Sequence, residues 1–369
     1  MVKRPDVYDY FDELKRHLGG DTSRIFDGTL IYPRQLEIHL PGNGKIPCVF
    51  KCPWCQGSEL EQPLGDWEEK GLRLVSKLDG KIPYHIYGGA YTEPLLNKYI
   101  LDYLCLTKET GSDFGVHTNG ALLLNLHSKK KFLEKICQIS TSPKDYVSIS
   151  LDAGRSESHT KSKGLNRNWF DTIINGIKAL TWIRGESNFP SVRIVYLLNS
   201  LNSSEGEIAE MVRLAKELRV DSLRFSIPYD LYGRDFDRVR KYKHDTEDRL
   251  RNTYFKRVEP YLNDKTKPNI FWISPDSQDV DKMNFRQCIY SYFQITLGAD
   301  GYVYRCSSTA SPSFKFCRLG EITDDLEKFN DMVMRNHNPN WKPETCFSHG
   351  ARCNRISLEV CGKYQEEKS

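Results

Sequence analysis

The chain lacks any long apolar run. No stretch of its 369 residues approaches the roughly 18 apolar residues of a membrane-spanning helix, so no membrane partner is expected and the expected location is cytoplasmic. An export signal is missing too, because Met1-Val2-Lys3-Arg4-Pro5-Asp6 opens polar and charged, which argues against a secreted disulfide framework. Charge of one sign is also scarce: 53 basic residues stand against 49 acidic ones. The densest basic stretch, Arg238-Val239-Arg240-Lys241-Tyr242-Lys243, is offset by Asp235, Asp237, Asp245, Glu247 and Asp248. A solvated helix accounts for it better than a nucleic-acid groove, and no nucleic-acid partner is expected.

Cysteine is not scarce, and its placement is uneven. Of eleven cysteines, three sit at Cys48, Cys52 and Cys55, six lie between 288 and 361, and Cys105 and Cys137 fall between. A chain this long can bury a core without disulfides, so the grouping reads as metal ligation. In Pro47-Cys48-Val49-Phe50-Lys51-Cys52-Pro53-Trp54-Cys55 the spacings would suit one helix face. Pro53 blocks a helix there, so the run reads as a loop around a metal. Thiolates select iron-sulfur clusters, zinc or Cu(I), and three of them leave one iron of a four-iron cluster open. The competing reading is a non-catalytic zinc protein, its site completed by His39, His85 or His117.

Hydrophobic alternation in Gln35-Leu36-Glu37-Ile38-His39-Leu40 predicts a strand leading into the cysteine loop. Further strands are expected over 84–87, 114–117, 146–151, 192–197 and 222–227. Helices are expected over 67–78, 94–108, 122–139, 169–182 and 205–218. Such alternation implies a parallel sheet with right-handed crossovers, either an open doubly wound sheet or a barrel, and in either the ligands gather at the carboxyl ends of the strands. The cysteine loop, Gly88-Gly89, Thr118-Asn119-Gly120 and Asp152 all fall on that rim. The chain then divides into an amino-terminal segment (1–34), an α/β block (35–234), a charged helical connection (235–287) and a cysteine-rich module (288–369). Asp300-Gly301 is a hairpin signal between Cys288 and Cys306.

Cys48-x3-Cys52-x2-Cys55, with Trp54 before the last cysteine, resembles the signature of the radical S-adenosylmethionine superfamily. The resemblance implies a partial (β/α)6 barrel with a small C-terminal auxiliary-cluster module. It also implies a [4Fe-4S] cluster on Cys48, Cys52 and Cys55, and S-adenosylmethionine bound at its open iron. Gly88-Gly89-Ala90-Tyr91-Thr92-Glu93-Pro94 resembles the family's Gly-Gly-Glu-Pro segment, which makes Gly88, Gly89 and Glu93 cofactor-binding candidates beside Trp54. Ser150-Leu151-Asp152-Ala153-Gly154 resembles its Ser-Leu-Asp-Gly segment, whose serine and a later basic residue help hold the cofactor. Ser150 and Lys163 match, with Lys161 as the alternative. Asn199 and Ile227 are candidate ribose and adenine neighbours by position.

Cys288, Gly301 and Cys306 resemble the opening of the superfamily's auxiliary-cluster extension. The longer SPASM version needs more cysteines than the six remaining here, so a twitch-like module with one auxiliary [4Fe-4S] cluster fits better. Cys288, Cys306, Cys346 and Cys353 are the preferred ligands, with Cys361 the main competitor, Cys317 behind it, and zinc or disulfides as the other reading.

By resemblance the chain is a radical S-adenosylmethionine oxidoreductase. It would form a 5′-deoxyadenosyl radical and tailor a small natural-product or carbohydrate-like substrate by dehydrogenation or epimerisation. The short segment before the first strand favours that substrate over a peptide, for which a peptide maturase is the alternative. An electron donor such as flavodoxin or ferredoxin is expected. Tyr87, Tyr91, His117, Asn119, Tyr229 and Asp230 could bind either substrate, and no catalytic acid or base is assigned.

Overall fold

Alternate strand residues are apolar and pack under helices, and this alternation sets the architecture. The structure, a computed structural model, describes residues 10–43, 46–52, 55, 66–89, 92–124, 129–226, 248–262, 266, 268–273, 288–310, 312–337 and 360. Its strands are β1 (Gln35–Ile38), β2 (Tyr84–Tyr87), β3 (Asp113–Thr118), β4 (Tyr146–Ser150), β5 (Ser191–Leu197), β6 (Ser222–Ser226), β7 (Asn269–Ile273), β8 (Gln294–Leu297), β9 (Tyr302–Tyr304) and β10 (Arg318–Glu321). They form one sheet in the order β10-β9-β8-β1-β2-β3-β4-β5-β6-β7. Strands β8, β1 and β2 through β7 run parallel, whereas β9 and β10 are antiparallel additions at one edge. Among the described residues β10 and β7 do not pair, so the large parallel sheet stays open.

The α-helices are α1 (Tyr10–His17), α2 (Glu68–Leu78), α3 (Ile100–Glu109), α4 (Lys129–Ile139), α5 (Ser156–Ser162), α6 (Phe170–Arg184), α7 (Glu205–Glu217), α8 (Asp248–Val258) and α9 (Leu326–Asn336). The start of α7 is fixed by Ser204, whose hydroxyl accepts the Glu207 N–H, with Glu205 and Glu207 in the positive first turn. Strand residues Leu36, Val116, Val147, Ile194 and Phe225 share one core with helix residues Leu74, Leu104, Ile136, Ile177 and Met211. Each such side chain contributes about 1.5–3 kcal/mol by burial. The other strand parity, including Glu37, His117, Ser148, Arg193 and Arg224, faces away from the helices.

Three features depart from the pattern expected of the sequence. Glu93 caps a separate 3-10 turn, Pro94–Leu96, by accepting the Leu95 N–H, so α3 begins only at Ile100. Ser156–Ser162 forms α5 between the expected strand over 146–151 and the expected helix over 169–182, where no element was expected. The charged connection supplies not only α8 but also β7, which pairs with β6 from Ser222↔Asn269 to Ser226↔Ile273.

The cysteine-rich end is built into the same sheet. Strand β8 pairs with β1 from Gln35↔Gln294 to Ile38↔Leu297. Gly301, with φ +87°, makes the turn into β9, and its N–H donates to Gly298 O at 3.0 Å. Leu14, Leu18, Ile25 and Ile31 from the amino-terminal segment pack with Ile289, Tyr292, Phe293 and Val360. No helix among the described residues is long and apolar enough to cross a membrane.

Candidate cofactor rim and a second thiol group

The thiol loop leaves the carboxyl end of β1 and is tied to the loops that follow β2 and β3. The Glu93 N–H donates to Pro47 O at 2.8 Å, fixing the residue before Cys48. Cys48 Sγ accepts the Phe50 N–H and Asn119 Nδ2, each at 3.3 Å. The Cys55 N–H donates to Cys52 O at 2.9 Å. Burial pushes the Cys48 and Cys52 thiols up to about 12, with Glu93 adding to the effect at Cys48 and Lys163 opposing it at Cys52. Such thiols ionise when a bound cation compensates them. Trp54 lies outside the described residues.

Glu93 is buried and accepts Thr118 Oγ1 at 2.6 Å and the Asn119 N–H at 2.8 Å. Desolvation raises its carboxyl to about 6. Gly88 and Gly89 lie where side chains would not fit. A Cβ on Gly88, which has φ +100°, would meet the His117 carbonyl, and one on Gly89 would fall on the His39 imidazole.

The third part of the rim follows β4 and β5. Asp152 takes a left-handed backbone (φ 56°), and its carboxylate accepts the Leu197 N–H and the Ser150 hydroxyl, each at 2.7 Å. Lys163, at the end of α5, is buried, with Nζ 2.7 Å from both Asp152 Oδ2 and Ser150 O. Its ammonium lies 5.7 Å from the Phe50 ring centroid, which carries the thiol loop against this segment. Lys161 instead pairs with Glu157 on the surface. Asn199 is buried in a turn with Asn202, and its Nδ2 has no hydrogen-bond partner. Ile227 lies outside the described residues.

A second group of thiols gathers at the opposite rim. Cys288 precedes β8, Cys306 follows the antiparallel β9, and Cys317 precedes β10, so all three lie toward the amino end of β1. Burial pushes Cys288 and Cys317 up to about 12, and each is raised further by Cys306. Arg305 sits among them: burial lowers its guanidinium, while Cys317, Cys288 and Cys306 pull it back. Sequence reasoning ranked Cys317 last, because its approach to Cys306 depends on pairing between β9 and β10 that no local spacing reveals. Cys346, Cys353 and Cys361 lie outside the described residues, as do Tyr91, Tyr229 and Asp230.

No family model and no curated protein matches this sequence significantly. Solved structures do. anSMEcpe with bound AdoMet and a Cp18Cys peptide aligns with a TM-score of 0.55 and 19% identity, over 88% of this chain and 86% of that one. SuiB from Streptococcus suis bound to S-adenosylmethionine aligns with a TM-score of 0.52 and 16% identity, over 80% of this chain and 63% of that one. SuiB bound to its precursor peptide SuiA gives 0.52 and 16%, over 83% and 66%.

The chain has the fold of SuiB and anSMEcpe. It spans about two thirds of SuiB's length.

The residues at the thiol rim fit a cluster with S-adenosylmethionine on several grounds. The donor set is three soft thiols, with amide N–H donors on Cys48 and a lysine beside Cys52. Two buried polar atoms near the rim, Asn199 Nδ2 and Thr92 Oγ1, have no partner, as a polar ligand would require. Among the described residues no three His, Cys, Asp or Glu side chains, either thiol group included, stand as a single-ion cage. The histidines proposed to complete a zinc site have other partners: His39 bonds Glu37 at 2.8 Å, His85 bonds Thr107 at 3.1 Å and His117 bonds Tyr146 at 2.7 Å.

Proposed function

We propose that this chain is a radical S-adenosylmethionine enzyme, with Cys48, Cys52 and Cys55 as ligands of a [4Fe-4S] cluster. The observation that carries the reading is the meeting of the thiol loop, the Gly88-Gly89 turn and the Ser150–Asp152–Lys163 group on one rim. When bound, the cluster and S-adenosylmethionine supply a 5′-deoxyadenosyl radical that takes a hydrogen atom from substrate. Gly88 and Gly89 let the backbone approach the methionine end, while Ser150, Glu93 and Lys163 supply polar groups to orient it. Asn199 offers an unpaired amide for the ribose. Phe50, packed on His159 and Trp169, keeps water from one side of the loop.

The second thiol group is read as the site of one auxiliary cluster, with Cys288, Cys306 and Cys317 as ligands and Arg305 offsetting thiolate charge. Its role is to accept the electron left on substrate after hydrogen abstraction, which makes the overall reaction an oxidative tailoring. A flavodoxin or ferredoxin is the proposed donor to the first cluster. A small natural-product substrate is the first reading of what is modified. A peptide is the second, favoured by the peptides bound in the anSMEcpe and SuiB structures.

The test is anaerobic incubation of the reconstituted protein with S-adenosylmethionine and dithionite. Wild type is expected to release 5′-deoxyadenosine and Cys52→Ala to release none. Equal release by both proteins would remove the assignment of the first cluster.

A further inference from the structure

The face of the sheet away from the helices carries a buried cluster of Tyr84, Ile86 and Tyr146 and, beside it, polar and cationic side chains that solvent reaches. His117 on β3 is exposed on this face, and Glu37, Arg193 and Arg224 are partly exposed. The burial of β5 alternates, with Val192, Ile194 and Tyr196 sealed under helices and Arg193, Val195 and Leu197 reached by solvent. Solvent therefore reaches the part of this face around His117, Arg193 and Arg224.

Two guanidinium groups lie on this face without anionic partners among the described residues. Arg193 lies with its guanidinium carbon 3.8 Å from the Tyr146 ring centroid, and its printed hydrogen bond is a long one, from Nε to Ser191 Oγ at 3.5 Å. Arg224 Nε has no partner, and neither arginine pairs with a carboxylate among the described residues. The nearby acids are already matched. Glu37 holds His39 Nε2 at 2.8 Å with one oxygen and Gln294 Nε2 at 2.6 Å with the other, while Asp152 holds Lys163.

The two arginines converge on one place. Arg224 on β6 and Arg193 on β5 lie close enough to His117 to add to the desolvation that lowers its imidazole from the ordinary value. His117 Nε2 bonds Tyr146 Oη at 2.7 Å, the tyrosine on which Arg193 stacks. By register, His117 lies level with Ser148 and Ser148 with Arg193, below the rim formed by Asp152 and Leu197. Positive charge with no carboxylate partner among the described residues, on a face that solvent reaches, favours an anion, and a stacked guanidinium presents its outer N–H groups in the fork that suits carboxylate or phosphate.

We propose that Arg193 and Arg224 form an anion subsite that takes a carboxylate or phosphate group of the substrate, with His117 and Tyr146 as its hydrogen-bonding wall. This names the substrate class of the site described above and rests on that reading. The charged end would be anchored beneath the rim, leaving the rest of the substrate directed upward to the cofactor.

The test is isothermal titration of the reconstituted protein, at low salt and with S-adenosylmethionine present, using inorganic phosphate in one arm and succinate in the other. Wild type is expected to bind at least one probe, and the preferred probe identifies the source of the anion. Arg193→Gln and Arg224→Gln are each expected to weaken that binding about tenfold or more, with S-adenosylmethionine affinity unchanged. Retained cofactor affinity reports that the variants are folded, and Arg193→Lys, which keeps the charge, should recover part of the binding. No binding of either probe by wild type, or equal binding by the glutamine variants, would overturn the proposal. Loss of S-adenosylmethionine affinity in a variant that remains folded by circular dichroism would also overturn it, by assigning the arginines to the cofactor. If wild type binds the anion but neither binds nor cleaves S-adenosylmethionine, the cofactor reading fails and the anion subsite stands.

Discussion

Lys163 Nζ lies 2.7 Å from Asp152 Oδ2, and both side chains are closed to solvent. The pair joins the end of β4 to the end of α5, beneath Cys52. Burial disfavours the Lys163 ammonium, yet Asp152, Cys52 and Cys48 together hold it above its ordinary value. It therefore remains a cation facing the loop.

Removing one partner of this pair leaves the other charge buried alone. Lys163→Met is expected to destabilise the cluster-free protein by about 3–5 kcal/mol, read from chemical denaturation. Combining it with Asp152→Asn should cost less than the two separate losses added together, because the carboxylate that lacked a partner is then gone.

Gly89 and His39 make a second test of packing. Gly89→Ala is expected to cost about 1–3 kcal/mol, because the new methyl group falls on the His39 ring. In a His39→Ala background the same substitution should cost much less. An equal cost in both backgrounds would mean that the ring is not what excludes a side chain there.

His85 gives a pH dependence far from the thiols. It is buried and bonded through Nδ1 to Thr107, and desolvation, partly opposed by the Ile82 backbone, lowers it from 6.5 to about 4. A depressed folded value means that its contribution is fully present above pH 6.5 and is lost as pH falls toward 4, by about 3 kcal/mol in all. Denaturation midpoints measured across this window should fall with acidification, and His85→Phe should flatten that slope.

The alternation of Leu36 and Ile38, Val147 and Ile149, or Val192, Ile194 and Tyr196 is a local signal, and it made the parallel α/β sheet legible from sequence. Strand β7 was not, because Ile270-Phe271-Trp272-Ile273 is a short unalternating run within a charged stretch, and only its pairing with β6 defines it. The rim was legible in the same local way, since Gly88-Gly89 and Ser150-Leu151-Asp152 directly follow strands. The approach of Cys317 to Cys306 and of Arg193 to Tyr146 was not, because each depends on neighbours brought together by the sheet rather than by sequence spacing.

The second thiol group predicts a metal count. Reconstituted wild type should carry about eight irons with matching sulfide, and Cys306→Ser and Cys317→Ser should each lose about four. An unchanged count in Cys317→Ser would return the ligand role to the later cysteines, and zinc without sulfide would contradict both cluster assignments.

The most direct test of the central claim, that the thiol loop presents an open iron to S-adenosylmethionine, is anaerobic equilibrium binding of S-adenosylmethionine to the reconstituted protein, the iron-free protein and reconstituted Cys52→Ala. The account predicts tight binding only to the reconstituted wild type, because the iron supplies ligand positions that side chains cannot. Equal affinity in all three would contradict it.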